Sequence, residues 1–120
     1  MLMLPPAVKI FLCLRTVDMR KSFAGLADIV RSEFGQEPMN GHLFVFVGKR
    51  SDRIKILWWD KDGWALFYKR LEKGTFRLPQ YDNVNQVQIP AADLTLMLDG
   101  IDLRNARRQK RWHPKNLQIS

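Results

Sequence analysis

Basic residues alternate with aromatic and aliphatic residues in the middle of the chain. Arg53, Lys55 and Trp59 occupy alternate positions of one run, and Tyr68 and Arg70 do so in a later run. On an extended strand, alternate residues share a face, and a face that presents cations beside rings can hold phosphates and stack bases. The same pattern also fits a sheet whose rings form the core and whose cations face solvent. The candidate nucleic-acid contacts of this stretch are Arg53, Lys55, Lys69, Arg70 and Arg77.

A second concentration of positive charge lies at the C-terminal end. The chain has 120 residues, with 20 Lys and Arg against 12 Asp and Glu, a net charge of +8. Residues 103–120 hold six of these cations and no acid, so this segment carries +6 and residues 1–102 carry 14 minus 12, or +2. The segment has no apolar periodicity, and we predict contact with a polyanion through counterion release. Its candidate contacts are Arg104, Arg107, Arg108, Lys110 and Arg111.

Catalytic and metal-binding patterns are weak. His42 and His113 lie far apart in the chain, the acids are scattered, and the lone cysteine, Cys13, lies in an apolar run that indicates a buried thiol. Residues 60–63 (DKDG) resemble the start of a calcium loop, but Leu71 stands where that loop needs an acid, so a hairpin turn is predicted. We therefore predict a protein that is not an enzyme, with no catalytic residue, no metal and no cofactor.

An antiparallel sheet would position the central cations. Runs of strand-forming residues are separated by clusters rich in Gly, Asp and Lys, which is typical of a meander of hairpins. Trp58, Trp59 and Trp64 lie in this region, so the meander is expected to supply the core. The predicted strands are Leu43–Val47, Ile54–Trp59, Trp64–Leu71 and Thr75–Leu78.

Further elements flank the meander. Val8–Leu14 is apolar on both faces and predicts a buried strand, and a short strand is expected around Val87 and Ile89. A second helix, Ala91–Leu98, follows Pro90 and ends at Gly100.

A first helix is predicted between the N-terminal strand and the meander. Thr16 or Asp18 can cap it, and Gly35 can end it. Spacings of three and four residues place its apolar positions on one stripe. These positions are Phe23, Leu26, Ala27, Val30 and Phe34.

The element order indicates an α+β fold. We predict a mostly antiparallel sheet, made of the N-terminal strand and the four-strand meander, with two packing helices. Residues 1–102 form a single domain in this interpretation, and residues 103–120 form a basic C-terminal tail. Pro5, Pro6 and Lys9 interrupt the apolar N-terminal residues, so no membrane association is predicted, and the single cysteine fits a cytoplasmic protein.

Four blocks of the sequence carry a family resemblance: Thr16–Leu26, Gly41–Phe46, Asp52–Pro79 and Leu96–Asp102. In this order they resemble blocks of the TnpB-type accessory proteins (second open reading frame, Orf2-like) of insertion-sequence family 66. The resemblance covers about residues 8–113, and the departures include Ser22 for a usual Gly, Ala24 for an Asp and Leu103 for a frequent Trp. It implies a bacterial mobile-element protein, encoded beside a separate transposase that carries the strand-transfer chemistry.

Resemblance and charge together predict a non-catalytic transposition accessory. It would bind the DNA of insertion-sequence ends weakly and help to assemble the transposase there, with the transposase and another accessory protein as partners. The alternative is a protein–protein adaptor that docks the transposase through its aromatic sheet, without DNA contact. A small metal-dependent nuclease is a third hypothesis, which the scattered acids disfavour.

Overall fold

The computed structural model describes residues 7–100, and in this range five strands form one sheet with two helices packed against it. The strand order is β4-β3-β2-β1-β5. β1 and β2 are parallel, and every other neighbouring pair is antiparallel. This confirms the predicted α+β fold. The elements are β1 (Ile10–Cys13), α1 (Phe23–Glu33), β2 (Leu43–Val47), β3 (Arg53–Asp60), β4 (Gly63–Arg70), β5 (Gln86–Ile89) and α2 (Ala91–Leu98).

Each face of the sheet has its own apolar core. Leu26 and Val30 of α1 pack against Phe44, Phe46 and Leu57 on one face. The other face packs against α2 in a second cluster, which includes Val45, Ile54, Ile56, Leu94 and Met97. Because both faces are covered, all five residues of β2 are buried, which explains its uninterrupted apolar run.

The prediction of a fourth meander strand at Thr75–Leu78 is wrong. These residues form no strand, and β5 instead completes the sheet beside β1. Phe76 is only 2% exposed and lies in the core on the α2 face, while its N–H donates to the Ser51 carbonyl at 2.5 Å. The buried ring and this one backbone hydrogen bond hold the segment against the sheet. Its apolar residues are therefore buried without the hydrogen bonds of a strand.

The first helix begins later than either predicted cap. α1 starts at Phe23 with Ser22 as its N-cap, so the caps at Thr16 and Asp18 were wrong. Asp18 instead accepts a hydrogen bond from the backbone N–H of Arg20 at 2.9 Å, which favours a turn before the helix. Phe23 is exposed and lies off the buried stripe.

Other local predictions are confirmed. Gly35, after α1, has a φ of 64°, a left-handed conformation that ends helices. Residues 60–63 are a hairpin turn: Asp60 pairs with Gly63, and Lys61 between them has a φ of 59°. The strand around Val87 is β5, and α2 has the predicted bounds.

Two further sequence predictions concern the membrane and the C-terminal tail. Within residues 7–100, neither helix is long and apolar enough to cross a membrane. Segment 103–120 lies outside the described residues, and so does the predicted boundary between domain and tail.

Candidate nucleic-acid interface

The central cations gather at one end of the sheet, not on one face. The β3–β4 register sets Arg53 opposite Arg70 and Lys55 opposite Tyr68, all on the α1 face. Lys69 pairs with Ile54 and belongs to the α2 face. Three of the five central cations therefore share the α1 face with the rings of Trp59, Trp64 and Tyr68. The cations still lie close along the strands, where β3 begins and β4 ends.

Loop residues add charge at this end. A shallow cleft between segment 17–20 and the β2–β3 turn is lined by Arg20, Lys49, Arg50 and Arg53. A neighbouring cleft is lined by Arg50 together with Arg77. The acids here are Asp18, Asp52, Glu72 and Asp82. We call this set of cations the basic end: Arg20, Lys49, Arg50, Arg53, Lys69, Arg70 and Arg77.

Arg20, Lys49 and Arg50 were missed as site residues. They lie outside the strands, so strand alternation could not select them. Their signal was proximity in sequence to the blocks of the family resemblance, since Arg20 lies within Thr16–Leu26 and the turn residues precede Asp52–Pro79.

Arg53 is the least satisfied cation of the basic end. Its Nε is buried and has no hydrogen-bond partner among the described residues, and one carboxylate oxygen of Asp52 is in the same condition. Arg70, directly opposite, contacts Glu72 at 3.4 Å. Like charges opposite each other destabilise a strand pair, and an unpaired buried donor costs about 1–3 kcal/mol. An anion bound at Arg70, whose side chain is 54% exposed, would offset the repulsion between the two residues.

Lys55 has a different environment. Its Nζ donates to the carbonyls of Met19 and Lys21, each at 2.8 Å, and lies 5.1 Å from the centre of the Tyr68 ring. The residue is 8% exposed, and burial lowers the pKa of its ammonium. Lys55 therefore ties segment 19–21 to the sheet, so two of the resembling blocks meet at this side chain.

Replacing Lys55 by methionine is expected to lower the free energy of unfolding by about 1–3 kcal/mol. The change keeps an apolar stem of similar length but leaves the carbonyls of Met19 and Lys21 without their donor. Urea denaturation measures the effect. Lys49→Met makes the same chemical change at an exposed position and should alter stability by about 0.5 kcal/mol or less. Equal losses in the two variants would contradict the role assigned to Lys55.

Gly48 permits the close approach of segment 17–20 to the sheet. Val17 and Gly48 form an isolated parallel bridge, and a Cβ at Gly48 would lie 2.5 Å from Cγ of Met19. Beside this contact, the Arg20 guanidinium holds the pKa of the Asp18 carboxyl well below its usual range. Arg20 itself stays exposed at the mouth of the cleft.

The last described residues return to the basic end. The Nζ of Lys69 donates to the Leu98 carbonyl at 2.6 Å, and a Cβ at Gly100 would lie 3.5 Å from Cδ1 of Leu71. The chain therefore reaches residue 100 beside the end of β4. The predicted contacts beyond it lie outside the described residues: Arg104, Arg107, Arg108, Lys110 and Arg111.

The tryptophans of the meander are less buried than predicted. Trp58 is partly buried against the core on the α2 face. Trp59 and Trp64 stack edge-to-face, with ring centres 5.1 Å apart, at the end of the sheet opposite the basic end. Tyr68 is 50% exposed on the same face. Trp59 of β3 and Trp64 and Tyr68 of β4 lie on the α1 face, and we call these three rings the aromatic strip.

The remaining chemical groups have structural environments. Cys13 is buried, which raises the pKa of its thiol, so the prediction of a buried thiol is confirmed. The Nδ1 of His42 accepts the Lys9 backbone N–H at 3.0 Å, and burial lowers the pKa of this imidazole. Within the described part of the chain, no group of three or more His, Cys, Asp or Glu side chains is placed to hold a metal ion.

Comparison with known proteins gives consistent matches over most of the chain. A family model described as "IS66 Orf2 like protein" matches residues 8–108. The chain is 36% identical over 107 residues to the uncharacterized protein y4hO of Sinorhizobium fredii, which covers 89% of this chain and 90% of that protein. It is 30% identical over 102 residues to y4jC of the same organism, with coverages of 85% and 86%. No solved structure matches the chain.

Proposed function

The chain belongs to the family of IS66 Orf2-like proteins, which are accessories of insertion-sequence transposition, and from this premise we propose that it is a non-catalytic DNA-binding accessory. It binds the backbone of insertion-sequence ends through the basic end and the cations of residues 103–120. In this way it helps to assemble the separate transposase on those ends.

The single observation that carries the proposal is the Arg53–Arg70 pair. Arg53 and Arg70 oppose each other across β3 and β4, so two positive charges meet in one strand pair. Glu72 is the acid beside Arg70. A phosphate at the exposed Arg70 would offset the repulsion within this pair, because Arg–phosphate hydrogen bonds are charge-assisted.

The position of residue 100 supports cooperation between the basic end and the tail. Gly100 lies against Leu71, next to Arg70. Arg104 follows Gly100 by four residues, and four residues of extended chain span at most about 14 Å. One DNA segment can therefore contact both sets of cations.

Binding of this kind is governed by counterion release. Phosphate contacts dominate the affinity, carry little sequence information and weaken steeply with salt. Such binding fits a protein that binds the DNA of element ends without reading its sequence, while the transposase supplies the chemistry and the sequence recognition.

Replacing Arg53 and Arg70 together by glutamine tests the proposal. We expect duplex DNA affinity to fall by at least about tenfold at low salt, with a salt-dependence slope shallower by about 2 because two phosphate contacts are lost. Fluorescence anisotropy with a labelled element-end duplex measures both quantities.

The matched control removes a cation at the other end of the sheet. Lys61→Asn does so, and Asn tolerates the left-handed conformation of this turn residue. DNA binding of this variant should fall by less than about threefold, as one distant exposed charge is screened. An equal effect of both changes, or no DNA binding by the unmodified chain at low salt, would overturn the proposed interface.

A second candidate function is a protein–protein adaptor for the transposase. The aromatic strip favours it, since Trp59 of β3 and Trp64 and Tyr68 of β4 lie partly exposed, and such rings are enriched at protein interfaces. Co-purification with the transposase that survives nuclease treatment and high salt would support the adaptor, because apolar contacts are little affected by screening.

A further inference from the structure

β4 is a long edge strand with little protection. It ends the sheet, and among residues 7–100 its outer side has no strand beside it. Its eight residues contain no proline, and its cations, Lys69 and Arg70, stand only at its last two positions. Edge strands of this length and apolar character pair with other strands unless charge, proline or a bulge prevents it.

The outer backbone groups of β4 can be identified from the inner ones. The Leu71 N–H donates to the Asp52 carbonyl on β3's side, so the odd-numbered residues of β4 direct their backbone groups toward β3. Strand residues alternate in this respect. Trp64, Leu66 and Tyr68 therefore direct their N–H and C=O groups outward.

We propose that β4 pairs with β4 of a second copy of this chain. The strands run antiparallel about a twofold axis that passes beside Leu66, so each Leu66 faces its counterpart and exchanges two backbone hydrogen bonds with it. The two five-stranded sheets become one continuous sheet. About six backbone hydrogen bonds form, from Trp64, Leu66 and Tyr68 of the two copies.

Side-chain complementarity selects this register. With Leu66 at the axis, Trp64 faces Tyr68 of the second copy, and Asp62, in the turn that precedes β4, comes next to Arg70 of the second copy. Aromatic pairs and opposite charges are favourable across neighbouring strands. The half-exposed Tyr68 ring then has a cross-strand partner that the single chain does not supply.

The adjacent registers that keep side chains on their own faces are less favourable. Centring the pair on Phe67 sets Trp64 opposite Arg70 of the second copy. Centring it on Ala65 sets Trp64 opposite Leu66 of the second copy. Each shift therefore loses the aromatic pair between Trp64 and Tyr68. The edge is complementary to itself because an acid precedes β4 and a cation ends it, so the second copy is the partner that it fits.

Cysteine crosslinking of the full chain tests the pairing and its register. Leu66→Cys places two thiols opposite each other at a Cα separation of about 5.5 Å, which suits a disulfide. Tyr68→Cys places its two thiols about 13 Å apart along the strands. The native thiol, Cys13, is buried and should not interfere.

Mild oxidation is expected to convert most of the Leu66→Cys chain to a covalent dimer, and little of the Tyr68→Cys chain. Random collision predicts the reverse order, because Tyr68 is the more exposed residue. Equal or faster crosslinking through position 68 would overturn the proposed register.

A charge exchange tests the same pairing without a cysteine. Asp62→Arg and Arg70→Asp should each weaken dimerisation by at least about tenfold, and the double variant should recover it to within about threefold, because the pair is restored with its signs exchanged. Sedimentation equilibrium after nuclease treatment measures the mass without bound DNA. A monomer at all concentrations up to about 1 mM, a range that covers weak millimolar association, would overturn the proposal. So would pairing of β4 with the transposase alone.

Discussion

Replacing the six cations of residues 103–120 by glutamine is expected to lower affinity for duplex DNA by about 100-fold or more at low salt. These cations are Arg104, Arg107, Arg108, Lys110, Arg111 and Lys115. Each phosphate contact releases a condensed counterion, so the slope of log affinity against log salt should become shallower by up to about 5. Titrations from about 50 to 200 mM salt measure the slope, a range over which such contacts change affinity strongly.

The effect follows from where the charge lies. Residues 103–120 carry +6 of the total +8, so the altered chain retains only +2. The cations of the basic end remain, and they should sustain weak binding with a shallow salt dependence. The combined loss of Arg53, Arg70 and the tail cations should then abolish measurable binding at physiological salt.

A shuffled order of residues 103–120 provides the matched control. It keeps length, composition and charge, so counterion release predicts affinity within about threefold of the native chain. A large loss on shuffling would point to a specific contact surface. An unchanged slope after the glutamine replacement would contradict the role of the tail in DNA binding.

Strand positions were predictable where sequence and packing follow the same period. The alternation in β3 and β4 and the Asp and Gly residues between them define a hairpin, and the structure has that hairpin with Asp60 paired to Gly63. Gly35 and Gly100 both have positive φ and end their helices where predicted. Local chemistry is sufficient for such features.

Features that depend on long-range contact were less predictable. The alternating pattern of β3 predicts that Lys55 is an exposed cation. Its ammonium instead donates to two carbonyls that lie more than 30 residues earlier in the chain. The parallel pairing of β1 and β2 brings segment 17–20 beside the β2–β3 turn, and this created the cleft that holds Arg20, Lys49 and Arg50. Periodicity carries no information about which distant loops meet.

The basic end and the β4 edge share Arg70 and otherwise occupy different parts of the same strand pair. The last residues of β4 carry the charge, whereas its centre carries the rings and the outward backbone groups. Paired about Leu66, two copies would direct their basic ends in opposite directions along the strands. Such a dimer could hold two DNA segments at once. The charge exchange at Asp62 and Arg70 separates the two roles, because the double variant restores pairing while keeping an acid at position 70.

Truncating Phe76 to alanine is expected to lower the free energy of unfolding by about 3–4 kcal/mol. Phe76 is among the largest fully buried side chains of the described residues, in a core cluster with Ile54, Val45 and Met97. Removing a buried ring loses its transfer free energy and leaves a cavity that the sheet cannot close. Urea denaturation followed by tryptophan fluorescence measures the change.

Phe76 also fixes Arg77 at the basic end. The ring and the hydrogen bond to Ser51 hold this irregular segment against the β2–β3 turn, where Arg50 and Arg77 line one cleft. Loss of the ring should therefore release Arg77 and weaken DNA binding by about threefold to tenfold, corresponding to one phosphate contact.

Two control variants distinguish the loss of a buried side chain from the loss of an aromatic ring as such. Phe76→Leu keeps most of the volume and should cost less than about 1.5 kcal/mol. Tyr81→Ala removes an exposed ring from the same connection and should change stability by about 0.5 kcal/mol or less. If Tyr81→Ala proved as destabilising as Phe76→Ala, the segment would not be held by the Phe76 ring. The burial of Phe76 would then not explain why residues 75–78 are held in place without forming a strand.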